Sequence, residues 1–303
     1  MLPYTKLRPG RGFQPGRASL YYAQRLTTRP GLRRAMSRAI ASVVRLRHDT
    51  SSWAPVAANY AGVAPTLRQQ GIAMLPDLVS AAAVARMLDY FSAQHVVGPD
   101  DRLGPLDQLP PGTMMAGYPL RTILASPDVL GLVNAAPVLR IAADYLGCKP
   151  TLSSLGVRWS FPGGKRAEVT QQFHRDPDDW QFLKLFVYLT DVDAGSGPHS
   201  YVTRSHRAAG QLQWRAYTRP EVDAQFGNDS IRTVTGARGT AFMADTYGIH
   251  AGMIPTHAPR LILQAQYSLL PVFAFQYAPL ASSVPPSLDP YVNRLLLARQ
   301  TPA

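Results

Sequence analysis

The sequence predicts a mainly β fold with flanking helices, on three observations. Residues 150–275 are a series of short apolar or alternating segments separated by turns rich in Gly, Pro and Asp, which is typical of an antiparallel sandwich or barrel. Residues 63–149 carry apolar side chains at helical spacing instead. The chain has 303 residues, of which 46% are hydrophobic and 17% charged, so it can bury a core in one large domain or two small ones.

Composition and turn signals divide the chain into three parts. Residues 1–62 form a basic N-terminal arm that contains an amphipathic helix. Residues 63–275 form the main domain, with a helical part at 63–149 and a β core at 150–275. Residues 276–303 form a Pro-rich C-terminal tail with one short helix. We therefore expect a folded body between two terminal extensions.

The net charge of +12 lies almost entirely in the arm. Residues 1–50 contain eleven Lys or Arg and a single acid, Asp49, which amounts to +10 and leaves +2 for the rest of the chain. No aromatic–basic interleaving or recognition motif follows the arm. We therefore expect no binding to nucleic acid, and any role of the basic charge belongs to the arm.

An amphipathic helix is predicted at residues 31–47, GLRRAMSRAIASVVRLR, after an irregular segment at 1–30. One side of this helix is apolar and comprises Leu32, Met36, Ala39, Ile40, Val43 and Leu46. The other side is basic and comprises Arg33, Arg34, Arg38 and Arg45. Three interpretations stay open: a surface helix that packs on the body, an interfacial helix attracted to anionic lipid or phosphate-bearing substrates, and an organellar targeting segment.

Cysteine usage and hydropathy indicate a cytoplasmic protein. Cys148 is the single cysteine, which rules out an internal disulfide framework and fits a reducing compartment. No uninterrupted run of about 18 apolar residues is evident, so we expect no spanning helix. The N-terminus also lacks the apolar core of a secretory signal. A peripheral contact of the basic arm with anionic membrane is the alternative to a purely cytoplasmic location.

Local signals place the helices that flank the β core. The stretch 65–80 predicts a short helix, a strand and a loop, and Ser80 can cap the helix that follows. Residues 126–147 predict two helices, the second of which ends at Gly147. In the tail, Asp289 is placed to cap a short helix.

A histidine and an aspartate two positions apart form the first candidate site, in QQFHRDPDDW. Side chains alternate along an extended strand, so His174 and Asp176 share a face. Such a pair is either part of a divalent-metal site or an ordinary surface ion pair. His250 follows an apolar strand in GTAFMADTYGIHAG and supplies a second imidazole. Two imidazoles and one carboxylate leave three coordination positions open and suit non-haem Fe(II) that binds an organic acid and dioxygen.

An arginine on an otherwise apolar strand is the second candidate. Arg260 directly precedes LILQAQYSLL and shares one strand face with Ile262, Gln264 and Gln266. A buried arginine is costly without a partner, which is either an internal acid or a carboxylate ligand held by two parallel hydrogen bonds. Together with the three metal ligands, the second interpretation is favoured.

These segments together resemble a known family. His174-Arg175-Asp176, the following LKLFVYLTDVDAGSGPHSYVTRSHR, GTAFMADTYGIHAG and the Arg260 strand are similar to the phytanoyl-CoA dioxygenase-like branch of the Fe(II)/2-oxoglutarate-dependent oxygenases. The resemblance runs from about Leu67 to about Leu270. It implies a double-stranded β-helix (jelly-roll or cupin-like) core that carries iron on His174, Asp176 and His250, while Arg260 pairs with the distal carboxylate of 2-oxoglutarate.

The resemblance implies less certain roles for four further residues. Gln172 matches a position that often touches the cosubstrate, and Lys184 could replace Arg260 as the carboxylate partner. His199 and His206 are expected to be structural or to contact substrate. The segment YVTRSHR departs from many relatives, which have Pro-Gly before Ser-His, so a turn beside the pocket is expected to differ.

The activity implied is hydroxylation by dioxygen with Fe(II) and 2-oxoglutarate as cofactors, and with ascorbate as a supporting reductant. The substrate is expected to be a small molecule, an acyl thioester or a lipid-like compound. Asp176 favours hydroxylation over halogenation, because halogenating relatives lack that carboxylate so that chloride can bind iron in its place. The alternative is a cupin-like metal-binding protein or isomerase without 2-oxoglutarate chemistry, which would not need Arg260 at this offset.

Overall fold

Two antiparallel sheets form the centre of the molecule in the computed structural model, which describes residues 3–163, 171–208, 215–280 and 288–298. The larger sheet has the strand order β1-β9-β6-β11-β5-β4-β2-β3, and the smaller one has the order β10-β7-β8. The strands are β1 (Ile72–Met74), β2 (Val96–Val97), β3 (Leu103–Gly104), β4 (Met115–Gly117), β5 (Thr151–Ser160), β6 (Phe182–Tyr188), β7 (His199–Val202), β8 (Ile231–Val234), β9 (Ala241–Ala244), β10 (His250–Gly252) and β11 (Arg260–Ser268). This architecture confirms the predicted mainly β fold with a jelly-roll core.

The helices described are α1 (Pro15–Ala23), α2 (Pro30–Arg47), α3 (Val63–Gln70), α4 (Ala81–Ser92), α5 (Leu120–Leu124), α6 (Val129–Val133), α7 (Ala136–Leu146), α8 (Arg219–Phe226) and α9 (Pro290–Asn293). Seven of these helices precede β5 in the chain, α8 packs against the smaller sheet, and α9 contacts β5 of the larger sheet. Strands β1 to β4 fall within residues 63–149 and join the larger sheet, so the part predicted as helical also supplies strands.

Strand alternation separates a helix-facing core from a site-facing surface. On β11, Leu261, Leu263 and Ala265 belong to the main hydrophobic cluster with the helices, while Arg260 and Gln264 face a cavity on the opposite side. This period of two is the reason why a strand buried on both faces can still present polar groups to one point. The predicted shared face of the Arg260 strand is therefore confirmed.

The predicted helix boundaries are found where capping chemistry specified them. The Ser80 side chain accepts a hydrogen bond of 3.2 Å from the Ala83 N–H at the start of α4. Helix α7 ends at Gly147, whose φ of +79° lies in the left-handed region that favours glycine. The Asp289 carboxylate accepts from the Tyr291 and Val292 N–H groups and caps α9.

One stretch bears on the expectation that the chain has no spanning helix. Residues Val129–Leu146 are long and apolar enough by length and composition to cross a membrane. In the structure they form the two helices α6 and α7, and 61% of the stretch is buried inside the fold. Core helices of proteins that span no membrane have the same character, so the stretch is weak evidence for a spanning segment.

The N-terminal arm departs from two expectations. Residues 1–30 were expected to be irregular, yet they contain α1, which Pro15 begins at the first helical position. Helix α2 forms where the pattern predicts it, but the face it buries is not the apolar one. The buried side chains on α2 are Arg33, Ser37, Ala41 and Val44. Helix α2 therefore does pack on the body, but through a face that includes Arg33, and of the predicted apolar side Ile40 packs against the main cluster while Leu32, Met36, Val43 and Leu46 stay exposed.

Arg33 explains why α2 is mounted this way. Its Nη2 donates to the main-chain carbonyls of Asp179 at 2.7 Å and Trp180 at 2.9 Å. Its Nη1 lies 3.4 Å from two further carbonyls, those of Gln24 and Thr27, and its guanidinium stacks 4.0 Å from the Tyr247 ring centroid. The body thus offers carbonyl acceptors and an aromatic face. An arginine donates to the carbonyls and stacks on the ring, whereas a leucine would leave the carbonyls without a donor.

Candidate metal site and cavity

Three predicted ligands converge between the two sheets. The His174 and His250 main chains exchange two hydrogen bonds of 2.9 Å, and the Asp176 N–H donates to the Thr246 carbonyl at 2.9 Å. These backbone contacts hold the 174–176 segment against the turn that leads into β10. One ligand atom from each of His174, Asp176 and His250 lies within 4.8 Å of the others. The geometry is that of a divalent-metal site.

Carbonyl groups orient both imidazoles. His174 Nδ1 lies 2.8 Å from the Gln172 carbonyl, and His250 Nδ1 lies 3.0 Å from the Gly248 carbonyl. A carbonyl only accepts hydrogen bonds, so each Nδ1 carries the proton and each Nε2 keeps its lone pair. The two Nε2 atoms lie 3.5 and 3.4 Å from the Asp176 carboxylate oxygens. Both rings therefore present the nitrogen that binds metal, with the other nitrogen fixed by the main chain.

Lys184 from β6 neutralises the carboxylate side of the site. Its Nζ lies 2.6 Å from Asp176 Oδ2 and 3.6 Å from Asp178 Oδ2. Burial opposes ionisation of Asp176, but the charge of Lys184 and the neighbouring histidines outweigh it and hold the pKa of Asp176 well below its usual range. Burial together with the charge of Asp176 raises the pKa of Asp178 even though Lys184 lies nearby. Asp176 is therefore the more readily ionised member of the acid pair.

The ligands open into a cavity of about 240 Å³ between the sheets. Its wall comes mainly from residues 154–158 of β5 and alternate residues of β6 and β11, with β7 and β10 on the other side. The polar side chains in this wall are Tyr4, Ser154, Arg158, His174, Asp176, Asp178, Lys184, His199, His250, Arg260, Gln264 and Gln266. A small polar molecule could therefore be held within reach of the ligand set.

Arg260 is the buried cation of this cavity, with an exposed fraction of only 2%. It donates to the Gly197 carbonyl, and its Nη2 lies 3.3 Å from Ser160 Oγ. Within the described parts of the chain no carboxylate lies within 4.0 Å of its guanidinium, and its Nε has no hydrogen-bond partner. Burial lowers the pKa of Arg260 to about 10, so the side chain remains charged at neutral pH. The internal-acid interpretation therefore has no partner residue here.

His199 lies beside the ligands without joining them. Its ring stacks on Phe186 at 4.7 Å and on His250 at 5.5 Å between centroids. Burial lowers its pKa well below the usual range, as do the nearby charges of His250 and Arg260, and its Nε2 has no partner among the described residues. A neutral imidazole against the cavity wall agrees with the expected structural or substrate-contacting role.

Two predicted residues lie outside the cavity wall. Gln172 is exposed, and its contribution to the ligand set is the carbonyl that accepts from His174. His206 lies 3.2 Å from the Arg68 carbonyl, on another side of the molecule. Sequence reasoning placed Gln172 beside the cosubstrate, whereas the structure places its side chain away from the lining residues.

The sequence reasoning missed two polar residues of the wall and one aromatic residue at the mouth. Arg158 lies opposite Ile262 in the β5–β11 register, and Asp178 faces Lys184. Tyr4 reaches the mouth because the N-terminal segment pairs with residues 274–276, where the Thr5 N–H donates to the Ala274 carbonyl at 2.7 Å. Strand alternation could have found Arg158, because it shares a predicted strand face with Ser154 and Gly156. No local sequence pattern predicts that Tyr4 lies at the mouth of the cavity.

Comparisons with known proteins show the fold. No protein-family profile matches the chain, and no curated protein matches it. Among solved structures, it is similar to EctD from S. alaskensis, solved with 2-oxoglutarate and 5-hydroxyectoine, at 19% identity and a TM-score of 0.53 over 84% of this chain and 90% of that one. It is also similar to SnoN, a non-haem α-ketoglutarate-dependent epimerase from nogalamycin biosynthesis, at 22% identity and a TM-score of 0.50 over 68% and 80%.

A third similar structure is SnoK, a non-haem α-ketoglutarate-dependent carbocyclase from nogalamycin biosynthesis. The identity is 18% and the TM-score 0.50, over 71% of this chain and 86% of that one. At these identities the likeness establishes a shared architecture, and the chemistry has to be argued from the residues of this chain.

Proposed function

We propose that this chain is a non-haem Fe(II)- and 2-oxoglutarate-dependent oxygenase. The observation that carries the proposal is the convergence of three ligand atoms within 4.8 Å on a cavity that also buries Arg260, for which the described residues offer no carboxylate partner. A metal site alone would fit many activities. A metal site facing an arginine that has no acid of its own fits a cosubstrate with a second carboxylate.

The donor set fits Fe(II). Two neutral imidazoles and one carboxylate bind Fe(II) at three positions and leave the others open. The Gln172 and Gly248 carbonyls hold the rings, and Lys184 engages Asp176 Oδ2, which leaves Oδ1 for the metal. When bound, iron and 2-oxoglutarate would supply the oxidative decarboxylation that activates dioxygen for attack on a substrate C–H bond.

We assign the distal carboxylate of 2-oxoglutarate to Arg260 and give Lys184 a supporting role. The charge of Lys184 is already compensated by two carboxylates, at 2.6 and 3.6 Å. Arg260 has no compensating acid in the described chain and keeps an unused Nε. A planar guanidinium can hold a carboxylate by two parallel hydrogen bonds, which an ammonium cannot do. Gln172 remains a weaker candidate for cosubstrate contact.

Hydroxylation is the outcome we propose, with a small-molecule, acyl-thioester or lipid-like substrate. The solved relatives named as an epimerase and a carbocyclase have other outcomes, so product analysis has to decide this point. The polar cavity wall, with Arg158, Asp178 and Gln264, favours a substrate with polar groups near the reacting carbon. The phytanoyl-CoA dioxygenase-like branch also remains a prediction, and ascorbate is expected to sustain turnover.

The competing assignment is a cupin-like metal protein or isomerase. It would use the same three ligands but would have no need for a dicarboxylate, so 2-oxoglutarate would not bind to the metal-loaded protein. The buried free thiol of Cys148 fits the cytoplasmic location expected for either protein.

The deciding experiment has a binding arm and a turnover arm. Fe(II) and 2-oxoglutarate are added anaerobically, and the visible charge-transfer absorption of the chelate is recorded. Air is then admitted, and succinate is measured without any primary substrate. We expect both signals in the wild-type protein, neither in His174→Ala, and a shifted 2-oxoglutarate requirement in Arg260→Ala. Metal binding without either signal would instead support the cupin-like assignment.

We further propose that the arm docks on anionic membrane through α2. Its outward face exposes four apolar side chains: Leu32 at 50%, Met36 at 38%, Val43 at 52% and Leu46 at 88%. Their neighbours Arg38 and Arg47 are also exposed. An apolar stripe flanked by arginines matches an interfacial helix, whose apolar face enters the acyl boundary while the cations meet lipid phosphates.

Vesicle co-sedimentation tests this role of α2. The triple variant Leu32→Ser, Val43→Ser and Leu46→Ser removes the stripe without changing charge, and these exposed positions leave the fold intact. We expect wild-type binding to anionic vesicles that weakens as salt rises and is lost in the variant. Equal binding of the variant and the wild-type protein would reject the apolar docking face.

A further inference from the structure

A second cleft, separate from the metal cavity, lies between α2 and the body. It has a volume of about 600 Å³ and shares no lining residue with the metal cavity. Helix α2 forms one wall, and Arg68 of α3, the end of α7, residues 180–181 and 206–207, and the 245–247 turn contribute the remainder. This volume is within the range of small-molecule sites, about 300–1,000 Å³.

Arginines dominate the wall of this cleft, which we call the basic cleft. Five of them lie at its surface without a carboxylate within 4.0 Å in the described chain: Arg34, Arg38, Arg45, Arg68 and Arg207. Their recorded acceptors are neutral. Arg45 lies 3.5 Å from the Gly147 carbonyl and 3.3 Å from Ser42 Oγ, and Arg68 donates to the Asp144 carbonyl. The positive charge of these five side chains therefore has no compensating ion pair among the described residues.

The two acids in the wall are already occupied. Asp144 pairs with Arg140 at 3.0 Å. The carboxylate of Asp245 accepts from the Tyr145 hydroxyl and from the Tyr247 N–H. Some exposed arginines elsewhere are paired, as Arg86 is with Asp128 at 2.6 Å, whereas others such as Arg47 have no carboxylate within 4.0 Å in the described chain. The basic cleft differs because five such side chains line a single cavity, and like charges held together disfavour the empty arrangement.

Arg33 makes the wall a fixed one. Its hydrogen bonds to the Asp179 and Trp180 carbonyls, at 2.7 and 2.9 Å, anchor α2 to the body. The exposed arginines on α2 therefore project from a held helix, and Ser37 adds a hydroxyl to the same wall. A pre-positioned set of cations loses less freedom on binding an anion than a set on a loose segment.

We propose that the basic cleft binds an oligophosphate group. Each guanidinium presents a planar fork that matches phosphate oxygens, and five forks exceed what a single phosphate can use. A chain of two or three phosphates spreads its charge over the wall from Arg34 and Arg38 to Arg68 and Arg207. The source of the group is either a soluble phosphate ester or a lipid headgroup. This site goes beyond the proposed oxygenase activity and does not depend on it.

The basic cleft is lined in part by the 245–247 turn, which also hydrogen-bonds to the segment that carries the predicted metal ligands. Tyr247 lines the cleft, and its carbonyl accepts from Arg175 at 2.7 Å. The neighbouring Thr246 carbonyl accepts from the Asp176 N–H at 2.9 Å. An anion in the cleft thus contacts the same turn that holds a predicted metal ligand, which gives binding a direct route to the cavity.

The test is calorimetric titration of the full-length protein with inorganic tripolyphosphate. We expect saturable 1:1 binding that weakens as salt rises, because part of the attraction is screened. The triple variant Arg34→Gln, Arg38→Gln and Arg45→Gln should bind roughly 10-fold more weakly or worse. The control triple Arg11→Gln, Arg29→Gln and Arg47→Gln removes the same charge from the same arm, outside the cleft wall, and should bind within about threefold of the wild-type protein.

A second arm distinguishes the two sources. Vesicles that contain phosphatidylinositol bisphosphate are offered with and without competing tripolyphosphate. If tripolyphosphate displaces the vesicles and vesicle binding requires the cleft arginines, the site is assigned to a lipid headgroup. If tripolyphosphate binds through the cleft arginines but the vesicles do not, the site is assigned to a soluble ester. Equal weakening in both triple variants would reduce the effect to general arm charge and overturn the proposal. Absence of tripolyphosphate binding and of cleft-dependent vesicle binding would overturn it as well.

Discussion

The junction of the arm with the body and the metal cavity each bury an arginine that has no carboxylate within 4.0 Å in the described chain, and they use it in opposite ways. At the junction of the arm and the body, Arg33 is 5% exposed and has four carbonyl acceptors and two aromatic rings around it. In the cavity, Arg260 is equally buried but has one carbonyl, one distant hydroxyl and an unused Nε. A guanidinium whose N–H groups donate to protein acceptors stabilises the fold, whereas one that faces a cavity with N–H groups still without acceptors is available to a ligand.

The comparison teaches that burial alone does not identify a functional arginine. Both side chains lose water, and burial lowers the pKa of both. The difference lies in how many of the guanidinium N–H groups donate hydrogen bonds to acceptors within the protein. The number of guanidinium N–H groups with a protein acceptor therefore distinguishes an arginine that stabilises the fold from one that can bind a ligand. Substitutions at the two regions should accordingly differ in their effects on stability and on cosubstrate affinity.

The largest effect is expected at the metal ligands of the cavity. His174→Ala should reduce Fe(II)-dependent conversion of 2-oxoglutarate to background, because it removes one of three protein donors. The melting temperature should change little, since the core strands carry the stability. His257→Ala is the matched control: that histidine is exposed and pairs with Asp193 at 3.1 Å, so turnover should be retained. Full activity in His174→Ala would refute the ligand assignment.

The junction should also show a pH effect through Asp179. Burial raises the pKa of this carboxyl to about 7, despite hydrogen bonds from the Leu270 and Trp180 N–H groups and from Gln24. A carboxyl with a raised folded-state pKa contributes stability that is complete below about pH 4 and is lost as the pH rises towards 7, by at most about 4 kcal/mol. Denaturant unfolding between pH 5 and 8 measures the slope.

Asp179→Asn should flatten that slope. The amide cannot ionise, although it loses the acceptor for the Leu270 N–H and is therefore less stable than the wild-type protein at the acidic end. An unchanged slope in the variant would assign the pH dependence to other groups, such as Asp178, whose pKa burial also raises.

Arg33→Met should be the most destabilising change among the arginines. It retains much of the apolar stem but leaves the buried carbonyls of Asp179 and Trp180 without a donor, at a cost of about 2–4 kcal/mol of unfolding free energy. Arg38→Met, one turn away and exposed, should stay within about 0.5 kcal/mol of the wild-type value. Urea unfolding monitored by circular dichroism gives both values, and equal losses would remove the distinction between the two positions.

Arg260→Ala should instead raise the 2-oxoglutarate requirement. The loss of a charge-assisted, two-bond contact corresponds to about 1.5–3 kcal/mol, or roughly 10- to 150-fold in apparent affinity. The loss of unfolding free energy should be smaller than for Arg33→Met, because few protein acceptors are left unpaired. Lys184→Ala should shift the 2-oxoglutarate requirement less. The reverse ranking would transfer the carboxylate contact to Lys184.

Several features of the fold and of the site could be predicted because their causes are local. The side-chain cap of Ser80, the left-handed end at Gly147 and the shared face of Arg260 and Gln264 depend on neighbours within a few residues. Three residue types suited to a metal, at the ends of predicted strands, were enough to predict the convergence of His174, Asp176 and His250. A short-range rule thus identified the first candidates for a long-range site.

The sequence by itself determined the alternation of the strands, the helix caps and the amphipathic pattern of α2. Only the tertiary structure decided which side of α2 is buried, because Arg33 donates hydrogen bonds to the carbonyls of Asp179 and Trp180, which lie far away in the chain. It also decided that Lys184 faces Asp176, eight residues earlier, and that Arg260 has no carboxylate within 4.0 Å in the described chain, because both depend on how β6 and β11 pack beside the ligand segment. Partners separated by a hundred residues are set by packing, which no local propensity encodes.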